Sequence, residues 1–295
     1  MVGSVNLDQS FTVETLPRPG QTVLASALRS APGGKGGNQA VAAARAGASV
    51  QIVAALGDDS AASQLRGHLR DNGVGLDGVM TVPGPSGAAV IVVDADAENT
   101  IVVAPGANAH LSMNTAHVQT VVADAEVVLI QLEIPIATAL AAARVARAAG
   151  AVVIVNASPA QADTDDLAAL ARAADVVVVN DDEAREWHWP VPHLVTTRGA
   201  RGASHVHDGR SVDVPAPAVE PVDTTGAGDV FAGVLAAEWL SGVDQALLRA
   251  CAAGALATLI PGAGGCAPTA EAIADRKSTR LNSSHLAVSR MPSSA

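Results

Sequence analysis

The stretch Asp223-Thr224-Thr225-Gly226-Ala227-Gly228-Asp229 holds the residue types from which a group-transfer site can be built. It runs directly into Val230-Phe231-Ala232-Gly233-Val234-Leu235, an apolar segment of helical character. A Gly-rich turn that opens a helix aims several backbone N–H groups at one point, at the positive end of the helix dipole, and so makes an anion site. A carboxylate at the mouth of such a site would repel a bound phosphate. Asp229 therefore needs a reason, and two are available: a base beside a phosphate cradle, or the N-cap of the following helix. The stretch alone leaves both open.

The elements that must position these residues are legible in outline. A second Gly-rich run, Gly33-Gly34-Lys35-Gly36-Gly37-Asn38, leads into the helix Gln39–Arg45, which closes on Gly47. Beyond it, apolar strands alternate with helices: Val50–Leu56, Ser60–Asn72, Val127–Leu132, Ile136–Ala149, Val152–Asn156, Thr164–Ala173 and Val176–Val179. The strands are continuous Val/Ile runs, as expected of a parallel sheet covered on both faces. The alternation predicts an α/β fold, a doubly wound and mostly parallel sheet with helices on both faces. Residues 1–7 read as a shortened buried strand of that sheet. Segments 11–30 and 87–104 do not fit the alternation and are assigned to a small β-sheet lid. Asp8, Glu133, Asn180 and Thr197 each fall just past a strand end. In open α/β sheets that edge is where ligands bind.

Composition narrows the function classes. The chain has 295 residues, is 49% hydrophobic and carries a net charge of −11, which suits a folded protein and argues against a nucleic-acid groove. No apolar run of about 18 residues suggests a membrane span, and no basic, apolar leader opens the chain. Two cysteines, Cys251 and Cys266, offer neither a disulfide framework nor metal-ligand spacing. The expectation is a cytoplasmic protein.

Taken together, Gly33–Ala40, Asp223–Asp229 and Asn6-Leu7-Asp8 resemble the PfkB carbohydrate kinases, and within them the ribokinases, over residues 1 to about 275. The resemblance implies ATP-dependent phosphorylation of the primary hydroxyl of a sugar, with D-ribose favoured. Asp229 would be the base, and the N–H groups of Gly226, Ala227 and Gly228 the anion hole. Asn6, Leu7, Asp8, Gly34, Lys35, Gly36, Gly37, Asn38 and Glu133 would surround the sugar. Asn180, Thr197, Arg198, Gly199, Ala200, Arg201, Gly202, Gly228, Asp229 and Cys251 would meet ATP. Glu183 would hold Mg²⁺ through water. Asp223, Thr225, Ala257, Ile260, Gly262 and Cys266 would hold K⁺, with Cys266 at a position where a serine hydroxyl can occur. The resemblance also implies a homodimer formed through the lid sheet.

Three features depart from the family pattern. The first strand lacks its opening residues. The Asn180–Thr197 segment is short by about one helix, which predicts exposed apolar surface capped by Trp187 and Trp189. Residues 276–295 match nothing in the family and are expected to be a disordered, non-native tail. Related acceptors (deoxyribose, a ketohexose, adenosine) and a catalytically impaired sugar- or nucleotide-binding protein are the alternatives; the scarcity of aromatic residues argues against adenosine. A dinucleotide site is disfavoured, because Phe231 stands where the third glycine of the fingerprint belongs.

Overall fold

Runs of β-branched residues such as Val152-Val153-Ile154-Val155 pack best as strands buried on both faces. In the computed structural model, which describes residues 1–96, 98–278 and 288–290, these runs lie at the centre. The chain begins with β1 (Asn6–Thr12), β2 (Ala27–Gly33), α1 (Lys35–Arg45), β3 (Val50–Leu56), α2 (Ser60–Asp71) and β4 (Val74–Thr81). Next come β5 (Gly87–Val93), β6 (Asn99–Ala104), α3 (Ala116–Ala123), β7 (Val127–Gln131), α4 (Ile136–Ala149), β8 (Val152–Asn156), α5 (Asp165–Ala173) and β9 (Val176–Asn180). Then follow α6 (Glu183–Glu186), β10 (His193–Thr197), β11 (Ala203–His207), β12 (Arg210–Val214), α7 (Ala227–Glu238), α8 (Val243–Ala257), α9 (Ala270–Ser278) and β13 (Val288–Arg290).

The main sheet runs β13-β12-β11-β10-β9-β8-β7 and continues to β3-β4 through Val2, which bridges to both Ile130 and Val53. Strands β7 to β10 are parallel, and β11, β12 and β13 extend the edge in antiparallel order. The pleat sorts side chains between two cores. Val153, Val155, Val177 and Val179 face the side covered by α3, α4 and α5. Ile154, Val176 and Val178 face the side covered by α1, α2, α7 and α8. The doubly wound architecture is thus as expected.

A separate four-stranded sheet, β2-β1-β5-β6, carries β1 antiparallel to β2 and parallel to β5. This corrects the reading of residues 1–7. Met1 to Gly3 bond to β3 and β7 of the main sheet, with Val2 as the bridging residue, and the chain has already entered the small sheet at Asn6. Asn6 and Asp8 therefore sit at the base of a lid strand rather than at the end of a core strand. The two strands expected within 11–30 lie wider apart, with a proline-containing connection between Thr12 and Ala27. Beside the Val2 bridge, between β3 and β7, lies a cavity of about 450 Å³ at the end of the sheet remote from the glycine loops.

Between Asn180 and Thr197 the covering helix is reduced to the single turn α6. Exposed apolar surface does not result. Trp187 and Trp189 pack against the core edge-on to each other at 5.0 Å, and Trp187 Nε1 donates to the Trp189 carbonyl. Of the 276–295 segment, α9 continues to Ser278 and Val288–Arg290 pair with β12. The rest of that segment lies outside the described residues.

Candidate active site

Asp229 lies in the first turn of α7, whose N-cap is Gly226 at φ 80° with no side-chain cap. The N-cap role for Asp229 is thereby removed. A Cβ on Gly226 would meet the Ala263 backbone at 2.8 Å, so the left-handed turn and the tight loop contact both require glycine. The first-turn N–H groups of α7 have no intrahelical acceptor; that of Ala227 makes a long 3.3 Å bond to the Thr224 carbonyl.

The Asp229 side chain is 8% exposed and held from both sides by α1. Asn38 Nδ2 donates to its Oδ2 at 3.0 Å, and Gln39 Nε2 donates to its Oδ1 at 3.0 Å. Gly233 permits this approach: a Cβ there would lie 2.4 Å from the Gln39 carbonyl oxygen. The two glycine-rich motifs, far apart in sequence, thus meet at one carboxylate.

The sugar-side residues converge on the same place. Glu133 Oε2 accepts from the Ser4 hydroxyl at 2.6 Å and from the Lys35 backbone N–H at 3.1 Å. Asn6 is fixed by Asn108, whose Nδ2 donates to Asn6 Oδ1 at 2.7 Å while its Oδ1 accepts from the Val5 N–H. Asp8 Oδ1 is buried and has no protein partner, which leaves it open to a ligand hydroxyl. Burial, then the nearby charges of Glu133 and Asp229, push the Asp8 carboxyl up to about 7. Burial works against the Lys35 ammonium, but Asp229, Glu133 and Glu183 hold its pKa above the ordinary lysine value. The glycines Gly34, Gly36 and Gly37 lie at the start of α1, where Gly37 N–H donates to the Ser4 carbonyl, and Leu7 packs on the core.

On the other side of Asp229 opens a cavity of about 560 Å³. Asn180, Thr197, Gly199, Ala200, Gly202, Ala227, Gly228 and Cys251 line it. Burial pushes the Cys251 thiol up to about 12, so it is a neutral wall. Arg198 and Arg201 do not line the cavity; their guanidinium groups pair with Asp213 and Asp181. Asn180 and Glu183 form a reciprocal cap of α6: Asn180 Oδ1 accepts from the Asp182 and Glu183 N–H groups, and Glu183 Oε2 accepts from the Asn180 N–H at 2.8 Å.

Beneath the Gly226 turn, Asp223 Oδ1 accepts from the Thr225 N–H and Oδ2 from the Gly262 N–H, each at 2.8 Å. Partial burial pushes its carboxyl up, but these bonds outweigh it and hold the pKa below the usual range. Cys266 joins the same loop, its thiol donating to the Ala263 carbonyl at 3.2 Å and, more distantly, to the Thr225 carbonyl. The Ala257 carbonyl accepts from the Ile260 N–H at 3.2 Å.

Sequence reasoning missed Ser4, Gln39, Asn108 and Asn156, and on the nucleotide side Phe231 and the Ala216–Val219 wall. Gln39 stood next to a flagged asparagine; Asn108 carried no motif around it.

Comparison with known proteins agrees with this geometry. The family model "pfkB family carbohydrate kinase" matches residues 1–270. The chain is 33% identical to the ribokinase of Bacillus subtilis, over 91% of this chain and 95% of that one. It is 32% identical to the ribokinase of Haemophilus influenzae, over 91% and 94%. The structure of Arabidopsis thaliana ribokinase complexed with ribose and ATP superposes with a TM-score of 0.86 at 28% identity, covering 94% of this chain and 97% of that chain. With both glycine motifs joined at one buried carboxylate and the match spanning nearly the whole chain, the protein belongs to the pfkB family of carbohydrate kinases and is a ribokinase-like phosphotransferase.

Proposed function

We propose that the protein transfers the γ-phosphoryl group of ATP to the primary hydroxyl of D-ribose, giving D-ribose 5-phosphate and ADP. The observation that carries this reading is the position of Asp229, held by Asn38 and Gln39 with Asp8, Lys35 and Glu133 near it and the start of its helix lining the 560 Å³ cavity. Asn6, Asp8, Lys35, Asn38 and Glu133 bind the sugar hydroxyls, with the backbone of Gly34, Gly36 and Gly37 allowing close approach. Asp229 takes the proton of the primary hydroxyl as its oxygen attacks the γ-phosphorus. The N–H groups of Gly226 to Gly228 receive the charge that develops on the transferred group. Thr197–Gly202, Asn180 and Cys251 border the nucleotide. Support for ribose and ATP comes from the ribokinase relatives and from the ribose–ATP complex of the plant enzyme.

The donor atoms suit the two ions expected of this chemistry. Asp223 with the carbonyls of Thr225, Ala257, Ile260, Gly262 and Cys266 is an all-oxygen set with a single carboxylate, which fits K⁺; the Cys266 thiol, acting as a donor, takes no part as a ligand. Bound there, the cation would neutralise Asp223 and brace the turn at Gly226. Glu183 fits a hydrated Mg²⁺, a hard ion that keeps its waters and would shield phosphate charge. The small sheet acts as a lid over the sugar, and its outer face pairs two copies of the chain.

Asp229→Ala tests the core of the reading. ADP release with ATP, Mg²⁺ and ribose is expected to fall by at least the ~10²–10⁴-fold typical of a general base, in a protein that keeps its Tm within a few degrees. Near-parental turnover in that variant would remove Asp229 as the base.

A further inference from the structure

The side-chain amide of Gln39 is fully buried and its orientation is dictated by its neighbours. Gln39 Nε2 lies 3.0 Å from Asp229 Oδ1 and 2.9 Å from Asn156 Oδ1. The carboxylate can only accept. Asn156 uses its own Nδ2 to donate to the Val178 carbonyl at 3.1 Å, so it too presents an acceptor. Both protons of the Gln39 NH₂ group are therefore committed, and Gln39 Oε1 is left buried with no partner. An unpaired buried carbonyl is destabilising, and native structures rarely keep one without a role. An apolar side chain of the same length would remove that unpaired carbonyl only by leaving Asp229 Oδ1 and Asn156 Oδ1 without their donor.

We propose that Gln39 is a positioning residue for phosphoryl transfer: it pins Oδ1 of Asp229, so that Oδ2, shared with Asn38, is the oxygen that faces the acceptor hydroxyl. Asn156 completes the device by tying Gln39 to the backbone of β9. The aim of the carboxylate is thus set by the rigid central sheet rather than by the mobile end of a side chain. Effective general-base geometry depends on such fixing, because small misplacements cost large factors in rate. The other ionisable groups around the carboxylate are Asp8 from β1, Lys35 from α1, Glu133 after β7 and Cys266 from the loop before α9. Among the described residues none of these groups hydrogen-bonds to Oδ1, so the restraint on that oxygen is the amide's.

The inference rests on Asp229 being the base, and the experiment separates the two claims. Gln39→Met and Asn156→Ala are compared with the parent and with Asp229→Asn, by kcat, KM for ATP, the pH profile of kcat, and Tm. Gln39→Met is expected to lower kcat roughly 10–100-fold with KM for ATP within about twofold. Gln39→Met removes a donor to the carboxylate, so the acid limb of kcat should move to higher pH in that variant, and Asn156→Ala, which frees the amide from β9, should lower kcat in the same direction. Asp8→Asn marks the limb that belongs to Asp8. If folded Gln39→Met and Asn156→Ala keep the parental kcat and an unmoved acid limb, losing only Tm, the role is structural and the proposal fails. If Asp229→Asn turns over like the parent, the base assignment fails instead.

Discussion

His205 on β11 is 7% exposed, and its Nε2 lies 2.9 Å from His193 Nδ1. His207 stacks on His193 at 4.0 Å, and Trp239 meets His193 edge-on at 5.2 Å. Burial first, and then the neighbouring His193 and His207, lower the His205 pKa to about 4. A folded pKa below the unfolded value of about 6.5 means that the fold favours neutral imidazole. The stability it contributes is present above pH 6.5 and is lost as the pH falls toward 4. At about 1.4 kcal/mol per unit, this amounts to at most ~3 kcal/mol, less for the screening that a partly solvated ring receives. Asp8 acts with the opposite sign, because its folded pKa of about 7 lies above the unfolded value, so its proton is kept and stability is lost as pH rises. The difference between parent and variant isolates the histidine. Denaturant midpoints of His205→Phe should fall less steeply from pH 7 to pH 4.5 than those of the parent. Parallel pH dependences would show that His205 is not the acid-sensitive group.

At the scale of elements, the lid sheet stands out. Leu28 on β2, Val90 on β5 and Ile101, Val102 and Val103 on β6 are exposed, and β6 is exposed along its whole length. By register, Leu28, Val90 and Val102 share one face of this sheet, whereas Ile101 and Val103 alternate to the face that carries Asp8. We propose the Leu28–Val90–Val102 face as an interaction surface, and a stable dimer through it needs on the order of 1,000 Å² of buried area. Sedimentation at micromolar concentration is expected to give a dimer, and Val102→Glu to weaken it at least tenfold, about 1.4 kcal/mol. A parent chain that sediments as a monomer would contradict the pairing. The same elements show what sequence made legible. Gly226, Gly34 and Gly36 were readable because their turns and close backbone contacts admit little but glycine. The buried Val/Ile strands were readable because a sheet covered on both faces needs unbroken apolar runs. The first strand was misassigned because Met1–Leu7 is apolar enough for either sheet, and only tertiary pairing takes Asn6 into the lid. The Trp187–Trp189 cover went partly unread, since ring packing replaces helix packing there. Gln39, Asn108 and Asn156 were illegible as functional residues: the partner of a buried amide is set by which helix and strand come together, not by its neighbours in sequence.

For the whole molecule, the consequence of the fold is a meeting of two compartments. The lid strand β1 and the loop after β7 deliver Asp8 and Glu133; the edge of β9, the turn after β10 and the start of α7 enclose the larger cavity; α1 and α7 pack closely enough to fix Asp229 between them. One covering helix is reduced to a turn, yet none of the residues that aim the carboxylate belongs to it. The protein is thus a ribokinase-like carbohydrate kinase, and we propose ribose as the acceptor of the γ-phosphoryl group of ATP. The most direct test of that acceptor is ADP release with ATP–Mg²⁺ across ribose, deoxyribose, fructose and adenosine, with and without K⁺, and ³¹P NMR of the product. The highest kcat/KM is expected for ribose, with a single 5-phosphate product and faster turnover with K⁺. Folded protein that turns over none of these acceptors, or prefers adenosine, would contradict it.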